Sequence, residues 1–229
     1  MMTLHDFSYP KGNPSLLAAD KNHLQEEAKK AALAGSYFIH IDVMDGIFVA
    51  NTSFGLEVAK SIVDPKVGHP FLKDTHLMVE RPLDVVASYA TISNIVTFHL
   101  EAAKDKQTVL SAISLIREKG AFAGLAINPE TKLEEIFPFL SCLDLVLLMT
   151  VHPGKGGQPF DPNGYHRIAR LRHELDKLTN PPVLEIDGGV NEKTYQEAIR
   201  SGAELLVAGS YLYGHDDFAE RFMRLEEKQ

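Results

Sequence analysis

The sequence predicts an α/β fold, a single-domain (β/α)8 TIM barrel whose eight parallel strands close into a cylinder. Three observations predict it. The chain has 229 residues, a length that suits eight strand–helix units in one domain. Short apolar runs alternate along it with segments of helical periodicity, a pattern typical of parallel sheets. Since no low-complexity stretch or linker divides the chain, we expect one barrel domain over residues 14–229, preceded by an N-terminal leader segment of residues 1–13.

Eight apolar runs supply the predicted strands. They are short and rich in β-branched or aromatic residues, as buried strands tend to be. The rival architecture is a doubly wound open sheet, but no GxGxxG sequence follows the first run, which removes the commonest sign of a dinucleotide-binding fold. The predicted strands span residues 14–18, 37–42, 73–78, 95–99, 122–127, 143–149, 183–187 and 204–208.

Amphipathic segments between these runs supply the predicted helices. Candidate N-caps are Asp20 and Asp105, and glycines at 35, 120 and 202 stand where a helix C-terminus needs positive φ. A last helix fits residues 216–226. The apolar stripes consist of Leu24, Ala28, Ala31 and Ala32; of Val109, Ile113 and Ile116; and of Ile168, Leu171, Leu175 and Leu178.

Composition and charge exclude several classes of function. The 23 basic and 31 acidic residues give a net charge of −8, which argues against a nucleic-acid partner. Residues 1–13 hold no apolar signal-peptide core, and no uninterrupted apolar stretch is long enough to span a membrane. With Cys142 as the single cysteine, no disulfide can form within the chain. We therefore expect a cytoplasmic protein with neither a nucleic-acid nor a membrane partner.

Polar side chains at the ends of the predicted strands point to a metal site. His40 and Asp42 share one face of the second strand, His76 ends the third and Asp187 ends the seventh. A single histidine in such a place is more often just hydrogen-bonded, and Asp187 before two glycines could simply cap a turn. Together, however, two imidazoles and two carboxylates at one barrel mouth suit a divalent cation such as zinc.

Glycine-rich turns after the last three strands point to an anion site. They span residues 152–160, 187–191 and 208–214, at the end of a barrel where phosphate is often bound by backbone amides. Each could also be only a tight turn. Lys155 either adds positive charge there or is a solvated loop residue. The methionines at the strand ends, which either pack in the core or form an apolar pocket wall, are Met44, Met78 and Met149.

Eight segments carry a resemblance to a known family. In order they are PSLLAAD (14–20), HIDVMDGIFVANTSFG (40–55), HLMVERP (76–82), HLEA (99–102), GLAINPET (124–131), VLLMTVHPGKGGQPF (146–160), EIDGGVN (185–191) and VAGSYLYG (207–214). Their joint occurrence resembles the ribulose-phosphate 3-epimerase family. The resemblance implies a barrel isomerase of carbohydrate metabolism that inverts C3 of a phosphorylated 2-ketose. Its expected reaction converts D-ribulose 5-phosphate to D-xylulose 5-phosphate, in the pentose phosphate pathway, by two-base proton transfer through an enediolate.

The resemblance also implies cofactors, partners and site residues. We expect one divalent metal ion, with Zn²⁺ favoured over Fe²⁺, Co²⁺ or Mn²⁺, no nucleotide cofactor, and a homo-oligomer. The implied metal ligands are His40, Asp42, His76 and Asp187, of which Asp42 and Asp187 are also the implied acid/base pair. The implied substrate and phosphate contacts are Ser15, His76, Gly156, Gly157, Gln158, Gly188, Gly189, Gly209 and Ser210.

Departures from the family pattern leave alternatives open. Ala18 replaces the usual second serine, residues 49–51 read Val-Ala-Asn where VPN is usual, and Lys155 replaces a commonly aromatic residue. One alternative is a 3-epimerase of a six-carbon keto-phosphate such as D-allulose 6-phosphate. The others are a phosphate-binding barrel lyase and an inactive protein that binds a sugar phosphate or metal. A Schiff-base aldolase would need a lysine at a strand end, whereas Lys73 begins its strand.

Overall fold

Eight parallel strands form the centre of the computed structural model, which describes residues 3–227. Neighbouring strands pair in chain order from β2 to β8, and β8 pairs with β1. One isolated bridge between Ser15 and His40 joins the end of β1 to β2, so the barrel is nearly closed. The predicted single-domain TIM barrel is confirmed. The strands are β1 (Lys11–Pro14), β2 (Phe38–Met44), β3 (Leu72–Met78), β4 (Ile95–His99), β5 (Phe122–Ile127), β6 (Leu145–Met149), β7 (Val183–Asp187) and β8 (Leu205–Ala208).

Seven α-helices surround the strands in the described part of the chain. Within residues 3–227 no α-helix lies between β5 and β6, where two 3-10 segments (Leu133–Glu135 and Phe137–Cys142) make the crossover instead. Asp105 caps its helix as expected, since its side chain accepts a hydrogen bond from the Thr108 amide. The helices are α1 (Leu24–Leu33), α2 (Leu56–Ser61), α3 (Val86–Ala90), α4 (Lys106–Glu118), α5 (Gly164–Leu175), α6 (Tyr195–Arg200) and α7 (Phe218–Leu225).

The first strand and the first helix differ from the prediction. The strand lies at Lys11–Pro14 rather than at 14–18, because the Ser15 hydroxyl accepts a hydrogen bond from the Leu17 amide and turns the following residues into a 3-10 segment. Residues 11–13, which we expected to precede the barrel, therefore form most of its first strand. Helix α1 begins at Leu24 with His23, not Asp20, at its cap position.

The segment before β1 packs against the N-terminal end of the barrel. Leu4 is 3% exposed and joins an apolar cluster with Phe38 and Leu72, which begin β2 and β3. The Phe7 ring lies 4.9 Å from the Phe38 ring. These residues fill the end of the barrel opposite the loops that follow the strands. Met1 and Met2 of the expected leader lie outside the described residues.

Polar side chains occupy the barrel interior above this apolar layer. The register of β2 and β3 sets His40 opposite Asp74, Asp42 opposite His76 and Met44 opposite Met78. Since alternate residues of a strand face the same side, these pairs stack towards the C-terminal ends of the strands. The register thus positions the candidate site. Within residues 3–227 no helix is both long and apolar enough to cross a membrane.

Candidate active site and metal centre

A cavity of about 700 Å³ opens at the C-terminal ends of the strands. Two carboxylates, Asp42 and Asp187, reach it from β2 and β7. His40 and His76 are fully buried and are not among the residues that line it. The other predicted site residues all line the cavity: Ser15, Met44, Met78, Met149, Gly156, Gly157, Gln158, Gly188, Gly189, Gly209 and Ser210.

The two histidines and two aspartates form a compact group at the base of this cavity, which we call the metal group. One ligand atom from each of His40, Asp42, His76 and Asp187 lies within 4.8 Å of the others. Asp42 Oδ1 lies 3.4 Å from His40 Nε2 and 3.3 Å from His76 Nδ1. Asp187 Oδ2 lies 3.9 and 3.6 Å from the same two nitrogens. All four predicted ligands are therefore brought together.

The chemistry of this group fits a divalent metal ion. His40 Nε2 and His76 Nδ1 are buried nitrogens without a hydrogen-bond partner, although burying a polar atom unpaired is costly. Both face the carboxylate oxygens, and two imidazole nitrogens with two carboxylates are a donor set that zinc and other divalent ions accept. A cation-binding site requires nitrogen and oxygen atoms that direct their lone pairs at one point and have no other partner there.

The second ring nitrogen of His40 is held inside the barrel. Its Nδ1 lies 2.7 Å from Asp74 Oδ2, which accepts the N–H. The Asn13 side-chain amide donates to Asp74 Oδ2 and to Glu185 Oε1, each at 2.7 Å. All four side chains are completely buried. With Nδ1 held to Asp74, His40 directs Nε2 at the metal group, and loss of the Nε2 proton leaves there the lone pair that binds a metal ion, as in many carboxylate–histidine–metal arrangements.

His76 is held by a different chain of contacts. Its Nε2 lies 2.8 Å from Nε2 of His99, and His99 Nδ1 lies 3.2 Å from Glu101 Oε2. The Phe48 ring packs 4.8 Å from the His99 ring. Burial lowers the pKa of His99 to about 4, so this imidazole is neutral near pH 7. The sequence indicated His99 as a strand-end residue but gave it no role.

Opposite charges face each other across the metal group. Burial alone would raise the pKa of Asp42, but His40 and His76 outweigh it and hold the pKa of that carboxyl far below its usual range. Burial alone would lower the pKa of His40, yet Asp42 and Asp74 raise it well above its usual value. This arrangement favours the charged form of Asp42, which attracts positive charge from an imidazole or from a metal ion.

Two hydroxyl groups fix Asp42 at the cavity floor. Ser15 Oγ donates to Asp42 Oδ2 at 2.7 Å, across the junction between β1 and β2. Ser53 Oγ donates to the Asp42 backbone carbonyl at 2.5 Å. Asp42 Oδ1 is left to face the histidines. Ser15 was predicted as a substrate contact, and its hydroxyl here also orients one of the carboxylates.

The turn after β7 requires its two glycines. Gly188 and Gly189 have φ of 118° and 67°, in the left-handed region. A Cβ on Gly188 would lie 2.4 Å from Val151 Cγ2, and one on Gly189 would lie 2.4 Å from the Phe160 backbone nitrogen. Only glycine lets this turn pack against the loop after β6. The close packing brings the two Gly-rich segments to one side of the cavity.

The loop after β6 is braced from within and from the loop after β2. The Gln158 side-chain amide donates to the carbonyls of His152 and Lys155 at 2.7 Å each. Asn51, the last residue of the Val-Ala-Asn departure, donates to the Gly154 carbonyl at 2.8 Å. Lys155 is exposed and lines the cavity, and no described carboxylate forms an ion pair with it. Gln158 therefore shapes this loop in addition to lining the cavity.

Comparison with known proteins identifies the family. The profile of the Ribulose-phosphate 3 epimerase family matches residues 11–213. The chain belongs to the ribulose-phosphate 3-epimerase family. It is therefore an isomerase, an epimerase in kind, as the resemblance of its motifs implied. Ribulose-phosphate 3-epimerase of Bacillus subtilis is 40% identical to this enzyme over 206 residues, covering 89% of this chain and 92% of its own. The protein of the same name from Escherichia coli K12 is 38% identical over 207 residues, covering 90% and 89%.

Solved structures similar to this epimerase support the fold. A 3-hexulose-6-phosphate synthase from Salmonella typhimurium has a TM-score of 0.64 at 16% identity, covering 94% of this chain and 96% of its own. Orotidine 5′-monophosphate decarboxylase from Sulfolobus solfataricus has a TM-score of 0.61 at 9% identity, covering 94% and 95%. At such low identity the likeness concerns the barrel alone.

Sequence reasoning missed the residues that support the epimerase's metal group. Asn13 and Asp74 were not singled out, and Glu101 stood only inside a family motif. Asn13 lay in the expected leader, and Asp74 was hidden within an apolar strand. The signal that could have found Asp74 is its parity, since Asp74, His76 and Met78 alternate along β3 as His40, Asp42 and Met44 do along β2.

Proposed function

We propose that this enzyme interconverts D-ribulose 5-phosphate and D-xylulose 5-phosphate by inverting C3, with one divalent metal ion, preferably Zn²⁺, held by His40, Asp42, His76 and Asp187. The observation that supports this most is the pair of carboxylates, Asp42 and Asp187, which face one cavity from strands β2 and β7. The names of the curated relatives support the pentose substrate. We also expect the protein to form a homo-oligomer, which stays a prediction.

The reaction needs two groups that exchange protons at one carbon. Inverting a stereocentre beside a carbonyl requires proton removal from one face of the substrate and delivery to the other. One carboxylate takes the C3 proton, leaving an enediolate, while the other, protonated, gives a proton to C3 from the opposite face. The roles of Asp42 and Asp187 exchange in the reverse direction. Such positioned acid/base groups contribute typically ~10²–10⁴-fold each.

The surrounding residues prepare these carboxylates for proton transfer. The Ser15 hydroxyl holds Asp42 Oδ2, which leaves Oδ1 directed at the metal group. A divalent ion bound there supplies Lewis-acid stabilisation of the negative charge that develops on the substrate, worth several kcal/mol by general experience. The methionines at the strand ends are almost fully buried and give the reacting carbon an apolar surround: Met44, Met78 and Met149.

The glycine-rich turns supply the other end of the substrate site. Backbone N–H groups are candidates to bind the phosphate, because their residues line the same cavity as Asp42 and Asp187; they belong to Gly156, Gly157, Gly188, Gly189, Gly209 and Ser210. A phosphate anchored there contributes binding energy that can orient C3 between the carboxylates. Its negative charge is met locally, so the net charge of −8 is no obstacle.

Incubation with D-ribulose 5-phosphate in D₂O tests the proposal. We expect D-xylulose 5-phosphate that carries deuterium at C3, detected by NMR. Asp187→Asn should lower both turnover and exchange by at least about 10²-fold, since the amide cannot take up the proton. The matched control is Asp84→Asn, an exposed carboxylate outside the cavity, which should behave as the unaltered protein.

The outcomes separate the alternatives. Turnover of D-allulose 6-phosphate alone would replace the pentose substrate with a six-carbon one while keeping the chemistry. Undiminished turnover by Asp187→Asn would overturn the two-base assignment. Exchange that survives complete removal of divalent ions by a chelator would overturn the metal requirement. An absence of turnover with every ketose phosphate would favour a lyase or a protein that only binds its ligand.

A further inference from the structure

We infer that His99 and Glu101 are positioning residues that lock His76 in its metal-binding tautomer. The inference rests on the proposed metal site and concerns residues outside the predicted ligand set. His99 ends β4 and Glu101 lies in the 3-10 segment Leu100–Ala102 that follows it. Neither side chain lines the cavity. Both act through His76, whose Nδ1 faces the two aspartates.

The direction of each hydrogen bond follows from the types of atom involved. The carboxylate of Glu101 can only accept, so His99 Nδ1 carries the hydrogen in their 3.2 Å contact. A neutral imidazole has one N–H, which leaves His99 Nε2 as an acceptor. Across the 2.8 Å contact, His76 Nε2 must then be the donor. Its Nδ1 is left with a free lone pair, which is the form that binds a metal ion.

The opposite arrangement is available to the same rings and would block the site. If His99 Nε2 carried the hydrogen, it would donate to His76 Nε2, and the hydrogen of His76 would move to Nδ1. That N–H would point at Asp42 Oδ1, 3.3 Å away, and could not bind a metal ion. Since both rings are completely buried, water offers no alternative partner. Glu101 is the group that decides between the two arrangements.

Glu101 is itself fixed by the loop after β5. Its Oε1 accepts hydrogen bonds from the Asn128 backbone amide at 2.8 Å and from the Thr131 hydroxyl. Arg167 of α5 donates to the carbonyls of Asn128 and Thr131 at 3.0 and 2.8 Å, so the loop is braced from outside the barrel. Each described hydrogen-bond partner of the Glu101 carboxylate is thus a donor. Only a side chain with two acceptor oxygens satisfies all of them.

The substitution Glu101→Gln tests this arrangement without changing the size of the side chain. A glutamine has one acceptor oxygen, so it can accept from the Asn128 amide or from His99 Nδ1, but not from both. We expect the affinity for Zn²⁺, measured by competition with a chromophoric chelator, to fall by about 10–100-fold, as is usual when a partner of a metal-binding histidine is lost. We also expect the ¹⁵N signals of the His99 ring to show hydrogen shifting from Nδ1 towards Nε2.

Matched variants make the result decisive. Glu135→Gln removes the same charge from an exposed residue of the next loop and should leave both readouts unchanged. Glu101→Asp keeps two acceptor oxygens and should retain the Nδ1–H tautomer of His99, with an affinity above that of the glutamine variant. Zn²⁺ affinity and ring signals in Glu101→Gln that match those of Glu135→Gln would overturn the tautomer lock. So would a variant that is only less stable to heat, with both readouts unchanged. Unaltered protein that binds no divalent ion would instead overturn the metal site itself.

Discussion

The charges of individual residues differ sharply between the floor and the mouth of the cavity. The floor carries the carboxylates of Asp42 and Asp187, whereas Lys155 is the one Lys or Arg among the described residues that line the cavity. A sugar phosphate needs its phosphate kept away from these carboxylates, and a lysine on the loop after β6 favours that orientation.

Lys155→Ala should therefore weaken binding more than it slows the chemistry. An exposed ion pair is worth roughly 0.2–1 kcal/mol, so we expect KM for the ketose phosphate to rise about 2–5-fold with kcat little changed. Steady-state kinetics and inhibition by inorganic phosphate measure both effects. Lys193→Ala, an exposed lysine on the loop after β7 that does not line the cavity, is the control. Equal KM values for the two variants would show that Lys155 is a solvated loop residue.

The sequence predicts the residues at this site better than it predicts their supports. His40, Asp42, His76 and Asp187 stand out because each is polar at the end of an apolar run, and strand parity indicates the direction of each. Their hydrogen-bond partners lie on other strands, and the pairing of Asp74 with His40 or of His99 with His76 depends on the stagger between strands. Stagger is a property of the closed barrel, which local patterns do not encode.

Among the elements, the contact between β1 and α7 is unusually close. A Cβ on Gly12 of β1 would lie 2.7 Å from Cε2 of Phe222, so the ring packs directly on the strand backbone. Phe222 is 1% exposed. Lys11 and Glu226 form an ion pair beside this contact, with side chains less than one-fifth exposed. Helix α7 thus covers the strand at which the barrel closes.

Phe222→Ala should destabilise the whole barrel. Removing a buried phenylalanine leaves a cavity that a strand backbone cannot fill, at a typical loss of about 3–5 kcal/mol in the free energy of unfolding. Urea denaturation followed by circular dichroism measures this loss. Met223→Ala changes the next residue, which is 55% exposed, and should stay within about 0.5 kcal/mol of the unaltered chain. A similar small loss for Phe222→Ala would mean that α7 contributes little to barrel closure.

Element boundaries were predictable where one local signal dominates. Alternation of apolar runs and amphipathic stripes was sufficient for β2 to β8, within a few residues at each end. The first strand was wrong because Leu16 is buried without being in a strand, and burial is what an apolar run reports. The missing helix after β5 has a similar cause. Residues 133–142 bury Leu133, Phe139 and Leu140 through 3-10 turns, and no helical stripe is needed.

At the scale of the whole molecule, the two ends of the barrel have different tasks. The loops that follow the strands carry the cavity and its polar groups, as in other barrels of this kind. The opposite end is filled by the segment before β1, with Leu4 and Phe7 against the first residues of β2 and β3. The residues that fill one end of the barrel and the residues that line the cavity thus lie at opposite ends of the same strands.

Leu4→Ala should separate stability from activity. The lost packing at a site that is 3% exposed should reduce the free energy of unfolding by about 2–5 kcal/mol. Since the altered side chain lies at the far end of the barrel, kcat and KM should remain unchanged at temperatures where the protein is folded. Leu33→Ala, at a leucine that is 68% exposed, is the control for stability. A change in KM without a change in stability would show that this segment affects the cavity.

The junction between β1 and β2 has a consequence for how the protein is made in the cell. Within residues 3–227 the bridge from Ser15 to His40 is the only β-bridge between these strands, and the full partner of β1 is β8. On the ribosome, His40, Asp42 and His76 emerge early, whereas Asp187 and β8 are translated much later. A nascent chain therefore exposes an unpaired strand edge and an incomplete ligand set for most of its synthesis, which is when chaperones protect such edges. The proposed metal site can therefore be complete only late in biosynthesis, near the end of translation.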